Sequence, residues 1–306
     1  MQRYIVRRLL QGLVTLFLVS IIVFILGRLT GDPVALLLSE FSTFEDQERL
    51  TRQLGLDKPL PEQYAIFLWN AVRGDLGRSI RGDRAPALNL ILERLPATVQ
   101  LASISVLLSF LIGLPLGVLA AVRRGSFVDT ISRVVALLGQ AVPVFWLGIA
   151  AMYVFSVQLK LLPTSGYGTA KQFVLPVFAM SAFTVAAFLR LTRSGMLEAL
   201  ESEYVKLARI KGLSETTVVW KHALRNSLIP VLTYMGTIFG RLVTGAVVVE
   251  TVFAWPGVGR LAFDAVMLRD FPVLQAVVLF MATAFIGVNL AVDVLYAYID
   301  PRIRYS

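Results

Sequence analysis

Ala97-Thr-Val-Gln-Leu-Ala-Ser-Ile-Ser-Val-Leu-Leu-Ser-Phe-Leu-Ile-Gly-Leu-Pro-Leu-Gly-Val-Leu-Ala-Ala-Val122 runs for 26 residues without an Asp, Glu, Lys or Arg. A hydrocarbon core about 30 Å thick is crossed by roughly 20 apolar residues in helical form, so this stretch is long enough to span a bilayer. Four more uncharged stretches follow the same rule: Leu9–Gly27 (19 residues), Val134–Leu159 (26), Gln172–Leu189 (18) and Phe271–Val292 (22). A sixth, Asn226–Val249 (24), is interrupted only by Arg241. The expected fold is therefore all-α, a polytopic membrane protein of about six transmembrane helices.

Composition agrees. The 306 residues are 57% hydrophobic and 16% charged, with a mean hydropathy of +0.73. Soluble domains sit near 45–50% apolar and about 25% charged. The formal charge of +9 suggests nucleic acid at first sight. A nucleic-acid-binding domain gathers its basic residues on one face, whereas these fall between long uncharged stretches, and nucleic acid is excluded. The chain has no cysteine and one histidine, His222. That removes disulfides, thiol catalysis and cysteine-ligated metals, and leaves His222 without companions for a metal site. It is read as a helix-surface or packing residue. Arg3, Arg7 and Arg8 before the first stretch give it the look of a signal peptide. Its 19 residues are long for a signal core and no small-x-small site follows, so it reads as an uncleaved helix.

Lys and Arg in short flanking loops set orientation. The segment Arg190–Arg225 holds seven basic and four acidic residues, and Arg123, Arg124 and Arg133 oppose Asp129 in the loop before the third stretch. On the other side, 30–96 has eight basic and ten acidic residues and 250–270 has two and three. This balance puts both termini in the cytoplasm, with the two lysines of 160–171 as a mild exception. Two units result: 1–96, a first span plus an extracytoplasmic helical segment, and 97–306, a five-helix core with the cytoplasmic loop 190–225. Prolines 115, 143, 176 and 230 mark kinks, tolerated where neighbouring helices satisfy the freed carbonyls.

Within 30–96 the sequence indicates two short helices. One opens at Ser42-Thr43-Phe44-Glu45, with capping-box spacing, and stops near Gly55. The other has Pro61 at its first position and ends at Gly74. Its Tyr64, Phe67, Leu68 and Trp69 are expected to rest on the membrane or on a span. In 190–225, Leu197, Leu200, Tyr204, Leu207 and Ala208 recur at helical spacing and should share one face, with Glu198, Glu201, Lys206 and Arg209 on the other. Gly212 is expected to end this helix at positive φ, and Ser214 to cap a second one towards Leu224. Such a pair either lies on the bilayer surface or docks a partner, and the residues alone leave both open.

Tyr204-Val-Lys-Leu-Ala-Arg-Ile-Lys-Gly-Leu-Ser214, with His222-Ala-Leu-Arg-Asn226 and Pro230, resembles the cytoplasmic loop of permease subunits in bacterial binding-protein-dependent ABC importers, in the dipeptide/oligopeptide branch. That family's signature is Glu-Ala-Ala, three residues, Gly, and later Ile-x-Leu-Pro. Ala208, Gly212 and Leu224 match it, while Lys206, Leu207, His222 and Arg225 stand for its Glu, first Ala, Ile and Pro. This pattern looks like the peptide branch's own variant. Similar family-like stretches are Arg3–Arg8, Gly31-Asp-Pro33, Leu54-Gly-Leu-Asp-Lys-Pro59, Gly74-Asp-Leu-Gly77, Trp255-Pro-Gly-Val-Gly-Arg260 and Asp300-Pro-Arg-Ile-Arg304.

The resemblance implies a multi-pass permease subunit of the bacterial inner membrane. It would pair with a second, similar permease, dock two cytoplasmic ATPases and receive substrate from an extracytoplasmic binding protein. The substrate would be a dipeptide or oligopeptide, or, in the same importer type, glutathione or a nickel chelate. The helix ending at Gly212 would be the coupling helix, with Tyr204, Ala208, Arg209, Lys211, Gly212 and Leu213 as the ATPase-docking residues. No cofactor is expected in this chain, ATP being bound by the partners. The sequence contains no Gly-Lys pair and hence no P-loop. An enzyme would need His, Asp or Ser constellations inside the spans, which are absent. A stand-alone carrier or channel, the competing class, tends to show internal repeats and mid-membrane acids. Neither is visible here. Candidates for the translocation path are Arg241, which otherwise snorkels or pairs with Glu250 or Asp264, and Phe145 and Trp146 beside Pro143, which otherwise pack or face lipid.

Overall fold

The computed structural model describes residues 2–29, 43–53 and 55–299. The Gly31-Asp-Pro33 and Asp300–Arg304 motifs, Ser42 and Leu54 lie outside them. Among the described residues thirteen α-helices follow one another: α1 (Gln2–Leu29), α2 (Phe44–Gln53), α3 (Leu60–Val72), α4 (Ala87–Val122), α5 (Phe127–Ala141), α6 (Val144–Met152), α7 (Ala170–Glu201), α8 (Glu203–Ile210), the single turn α9 (Glu215–Thr217), α10 (Leu224–Gly245), α11 (Val247–Val252), α12 (Val258–Met267) and α13 (Phe271–Ile299). Five are long and apolar enough to cross a membrane, and the α5–α6 pair makes a sixth span bent by 99°.

Two boundaries differ from expectation. The stretch 134–159 is not one kinked helix: Val142 is extended (ψ 125°) and Pro143 starts α6 as its N-cap, so the chain turns there. A residue before proline is driven out of the α region, and the helix breaks at Val142. The stretch 226–249 also divides, α10 ending at Gly245 and α11 starting afresh at Val247. By contrast Pro115, Pro176 and Pro230 stay inside continuous helices. α4 begins at Ala87, ten residues before its uncharged part, and crosses Pro96 without a break.

α7 is the central post, with α4 packed along it. Gly113 and Gly117 of α4 allow the approach. A Cβ at Gly113 would lie 2.7 Å from Phe188 Cβ, and one at Gly117 2.6 Å from Thr192 Cβ. Glycines four apart are the usual device for close helix contact where lipid removes the hydrophobic drive. The flanking helix α1 keeps Leu9, Leu13, Phe17 and Ile22 exposed, as a lipid-facing span should.

Cross-chain contacts sort the loops into two ends. At one end, Arg193 bonds Asp129 and Arg124 bonds Glu201, while Arg8 pairs with Asp293. At the other, Ser79 bonds Asp270, Thr98 bonds Glu250 and Tyr167 bonds Gln100. α3 rests on α1, as its aromatic side suggested: Tyr64 Oη is 2.8 Å from Ser20 Oγ, and the Phe24 ring lies 5.4 Å from Tyr64 and 5.8 Å from Phe67. Trp69 stays exposed under the Arg73 guanidinium.

Candidate docking site

The loop after α7 was expected to be one helix up to Gly212. Instead α7 ends at Glu201, Ser202 is extended (φ −72°, ψ 152°), and α8 starts at Glu203. The Ser202 hydroxyl turns back to the Ala199 carbonyl, and the Ser202 carbonyl accepts the Lys206 N–H at 3.1 Å. A serine followed by an acid is a helix-start signal, and it wins over the continuous apolar spacing.

The break resets the faces. Val205 (0% exposed) and Ala208 (6%) point inward, onto Met196, Ala199, Val118, Val218 and Ala223. Tyr204 and Leu207, expected to share one face with Ala208, point outward instead. They are 39% and 56% exposed, with Ile210 at 80% and Leu213 at 40%. An apolar row thus stands uncovered at the tip of the loop, rimmed by Lys206, Arg209 and Lys211. Lys206 pairs with Glu203 at 2.7 Å.

Gly212 does end the helix. Its φ is +75°. The Leu213 N–H donates to the Ala208 carbonyl at 3.3 Å and the Gly212 N–H to the Arg209 carbonyl at 2.9 Å. That pair is a Schellman closure, with Lys211 as the C-cap. Arg209 then bridges the turn to Glu215, Nη2 to Oε1 at 2.7 Å and Nε to Oε2 at 3.2 Å. Hydrogen bonding to Arg209 holds the Glu215 carboxyl below its usual range. Ser214 Oγ accepts the Thr217 N–H and caps α9. The second helix is no separate arm. Val218–Ala223 continues as a wide turn into α10, carrying the half-buried His222.

Behind this tip lies a pair that sequence reading missed. Asp129, 1% exposed, accepts two bonds from Arg193 and one from the Gly125 N–H. The Arg193 guanidinium holds the Asp129 carboxyl down at about 2. Nothing in the local spacing links residues 64 positions apart.

The path candidates are not brought together. Arg241 is exposed on α10 and forms no ion pair among the described residues. Glu250 is fully buried, taken by Thr98 Oγ1 at 2.7 Å and the Arg260 N–H at 2.9 Å, and Asp264 faces Arg260. Neither carboxylate is the partner of Arg241. Phe145 and Trp146 on α6 are 49% and 57% exposed, past the bend. Among the described residues no group of three His, Cys, Asp or Glu is placed to hold a metal.

A helical bundle of six spans carrying a capped, apolar-tipped helix on a loop is the build of a transporter's membrane subunit. The chain belongs to the family described as "Binding-protein-dependent transport system inner membrane component", whose profile matches residues 113–305, with the N-terminal component profile over 1–102. It is a multi-pass inner-membrane permease subunit of a binding-protein-dependent ABC importer, and the family consists of transport subunits, not enzymes. Its relatives include the glutathione transport system permease protein GsiC of Escherichia coli K12, 43% identical over 307 residues and 100% of both chains. The GsiC of Shigella boydii serotype 4 is 42% identical over the same span. In fold it is similar to the methionine ABC transporter MetNI in inward-facing form (TM-score 0.53, 18% identity, 69% of this chain and 96% of that one). An amino acid ABC transporter solved with histidines matches at TM-score 0.51 and 16% identity, over 70% and 94%.

Proposed function

We propose that this chain is one of two dissimilar permease subunits of an ATP-driven importer of small peptides, and that it receives a cytosolic ATPase on the α8–Gly212 tip. The observation that carries the docking reading is the uncovered row Tyr204, Leu207, Ile210 and Leu213, on a helix whose C-terminal end is closed by the Gly212 turn. Large side chains left in water at a loop tip cost free energy unless a partner covers them. Ala208 seats the helix, Gly212 fixes its end, and Arg209 and Lys211 flank the row. ATP-driven movement of the partner would press on this helix, and a rigid helix passes on a push that a flexible loop absorbs. The loops 123–133 and 190–225 then face the cytoplasm, where their basic excess belongs.

Glutathione, itself a tripeptide, is the peptide that the GsiC relatives favour as substrate. An extracytoplasmic binding protein would deliver it. Two measurements test the reading. With the second permease and the ATPases co-expressed, Ile210→Glu should lose the ATPases on purification while still inserting in the membrane. Uptake of labelled glutathione by the intact system should exceed that of dialanine. Retention of the ATPases by Ile210→Glu would remove the docking role, and a preference for dialanine would return the substrate to the ordinary dipeptides.

A further inference from the structure

Two ion pairs join the loop carrying α8 to the turn between α4 and α5. Arg124 Nη1 lies 2.8 Å from Glu201 Oε1, and Glu201 is the last residue of α7 before the break. Deeper, Asp129 Oδ1 accepts from Arg193 Nε at 2.6 Å and Oδ2 from Nη2 at 3.1 Å. Asp129 Oδ2 also accepts the Gly125 N–H at 3.0 Å, and Arg133 Nε stands 3.8 Å from Oδ1. The carboxylate side chain is 2% exposed and that of Arg193 22%. Arg124–Glu201 is open to water and contributes little by itself. A two-pronged guanidinium–carboxylate contact away from solvent is different, because it fixes orientation as well as distance. One carboxylate thereby ties the 123–126 turn, the first turn of α5 and α7 together, with Arg193 ten residues ahead of the start of the docking helix at Glu203. None of these groups lies on the exposed row, so the docking surface does not need them.

We infer that Asp129 and Arg193 are positioning residues that make the 123–133 turn and the docking helix move as one body when the importer changes state. The inference rests on the docking reading above. The α5–α6 span starts at this turn, so a push received at α8 reaches that span directly as well as α7.

The test uses the assembled importer, both permeases with ATPases and binding protein, in proteoliposomes. Asp129→Asn and Arg193→Gln should keep their ATPases, because the docking row is untouched. Glutathione uptake per ATP hydrolysed should fall about tenfold. The double variant should be no worse than either single one, as for two ends of one contact. Arg193→Lys, which keeps the charge but loses the fork, should fall between. Because the chain has no cysteine, spin labels on Phe127→Cys and Thr216→Cys report the joint directly. Their distance should be the same without nucleotide and with a non-hydrolysable ATP analogue, and it should broaden in Asp129→Asn. Unchanged uptake per ATP in both variants, additive losses, or a label distance that differs between nucleotide states would each overturn the inference. Should both variants fail to reach the membrane, the label distance in the chain with native Asp129 and Arg193 decides alone. Failure of the docking reading looks different, since there Ile210→Glu keeps its ATPases.

Discussion

At Gly212, φ is +75° and an added Cβ would meet nothing within 4 Å. The cost of a side chain there is therefore purely conformational, about 1–2 kcal/mol for an L-residue in the left-handed region. Gly212→Val should leave insertion intact and fray the end of α8. If docking limits transport, uptake falls about tenfold, the effect of roughly 1.4 kcal/mol. Uptake assays against Gly212→Asn, which tolerates positive φ better, measure this. The glycine and the Ser214 cap were legible in the sequence because each is a local signal. The direction of Tyr204 and Leu207 was not, because one extended residue, Ser202, rotates everything after it. Asp129 gives a second prediction. Its folded pKa, about 2, lies below the ordinary value of 3.8. A depressed carboxyl adds stability that is complete above the unfolded value and lost as pH falls through the folded one. The difference in thermal midpoint between the native chain and Asp129→Asn should thus be constant from pH 8 to 5 and shrink below about pH 4. A gap that changes between pH 6 and 8 would contradict this.

Among the elements, α11 and α12 show how a motif without evident chemistry is spent on structure. In Trp255–Arg260, the Trp255 Nε1–H donates to the Ala97 carbonyl at 2.9 Å, and the Val258 N–H to Thr98 Oγ1 at 2.8 Å. The Thr98 hydroxyl in turn donates to Glu250 Oε1, and Glu250 Oε2 accepts the Arg260 N–H. Gly257 and Gly259 leave room, since a Cβ at Gly257 would fall 2.3 Å from the Glu250 carboxylate. Both oxygens of Glu250 accept, whereas an amide accepts on one side only. Glu250→Gln should leave a buried donor unmatched, at a cost of about 1–3 kcal/mol, and lower the thermal midpoint without touching ATPase co-purification. An unchanged midpoint would mean that the cluster repacks freely. The sequence pointed to Glu250 only as a partner for Arg241. The partnership with Thr98, 152 positions away, depends on how α12 packs on α4, and no spacing reveals that. Likewise the uncharged run 134–159 is legible as a membrane element, whereas the 99° break at Val142–Pro143 is not, since Pro115, Pro176 and Pro230 stay inside continuous helices.

On the scale of the molecule, hydropathy located six spans because every span must be apolar wherever its neighbours stand. The pairing of loops at each end then agrees with the charge bias. Ser165 is exposed at the end that holds Gln100 and Trp255, and Ser214 at the opposite end. In intact spheroplasts, Ser165→Cys should react with an impermeant maleimide and Ser214→Cys should react only after permeabilisation. The reverse pattern would invert the topology. The transport cycle depends on the ATPase and substrate-binding-protein partners that the family implies. The most direct measurement is uptake of labelled glutathione into proteoliposomes, comparing this chain alone with the full assembly. The lone chain should take up nothing, and uptake by the assembly should require both ATP and loaded binding protein. Substrate-dependent uptake by the lone chain without ATP would contradict this.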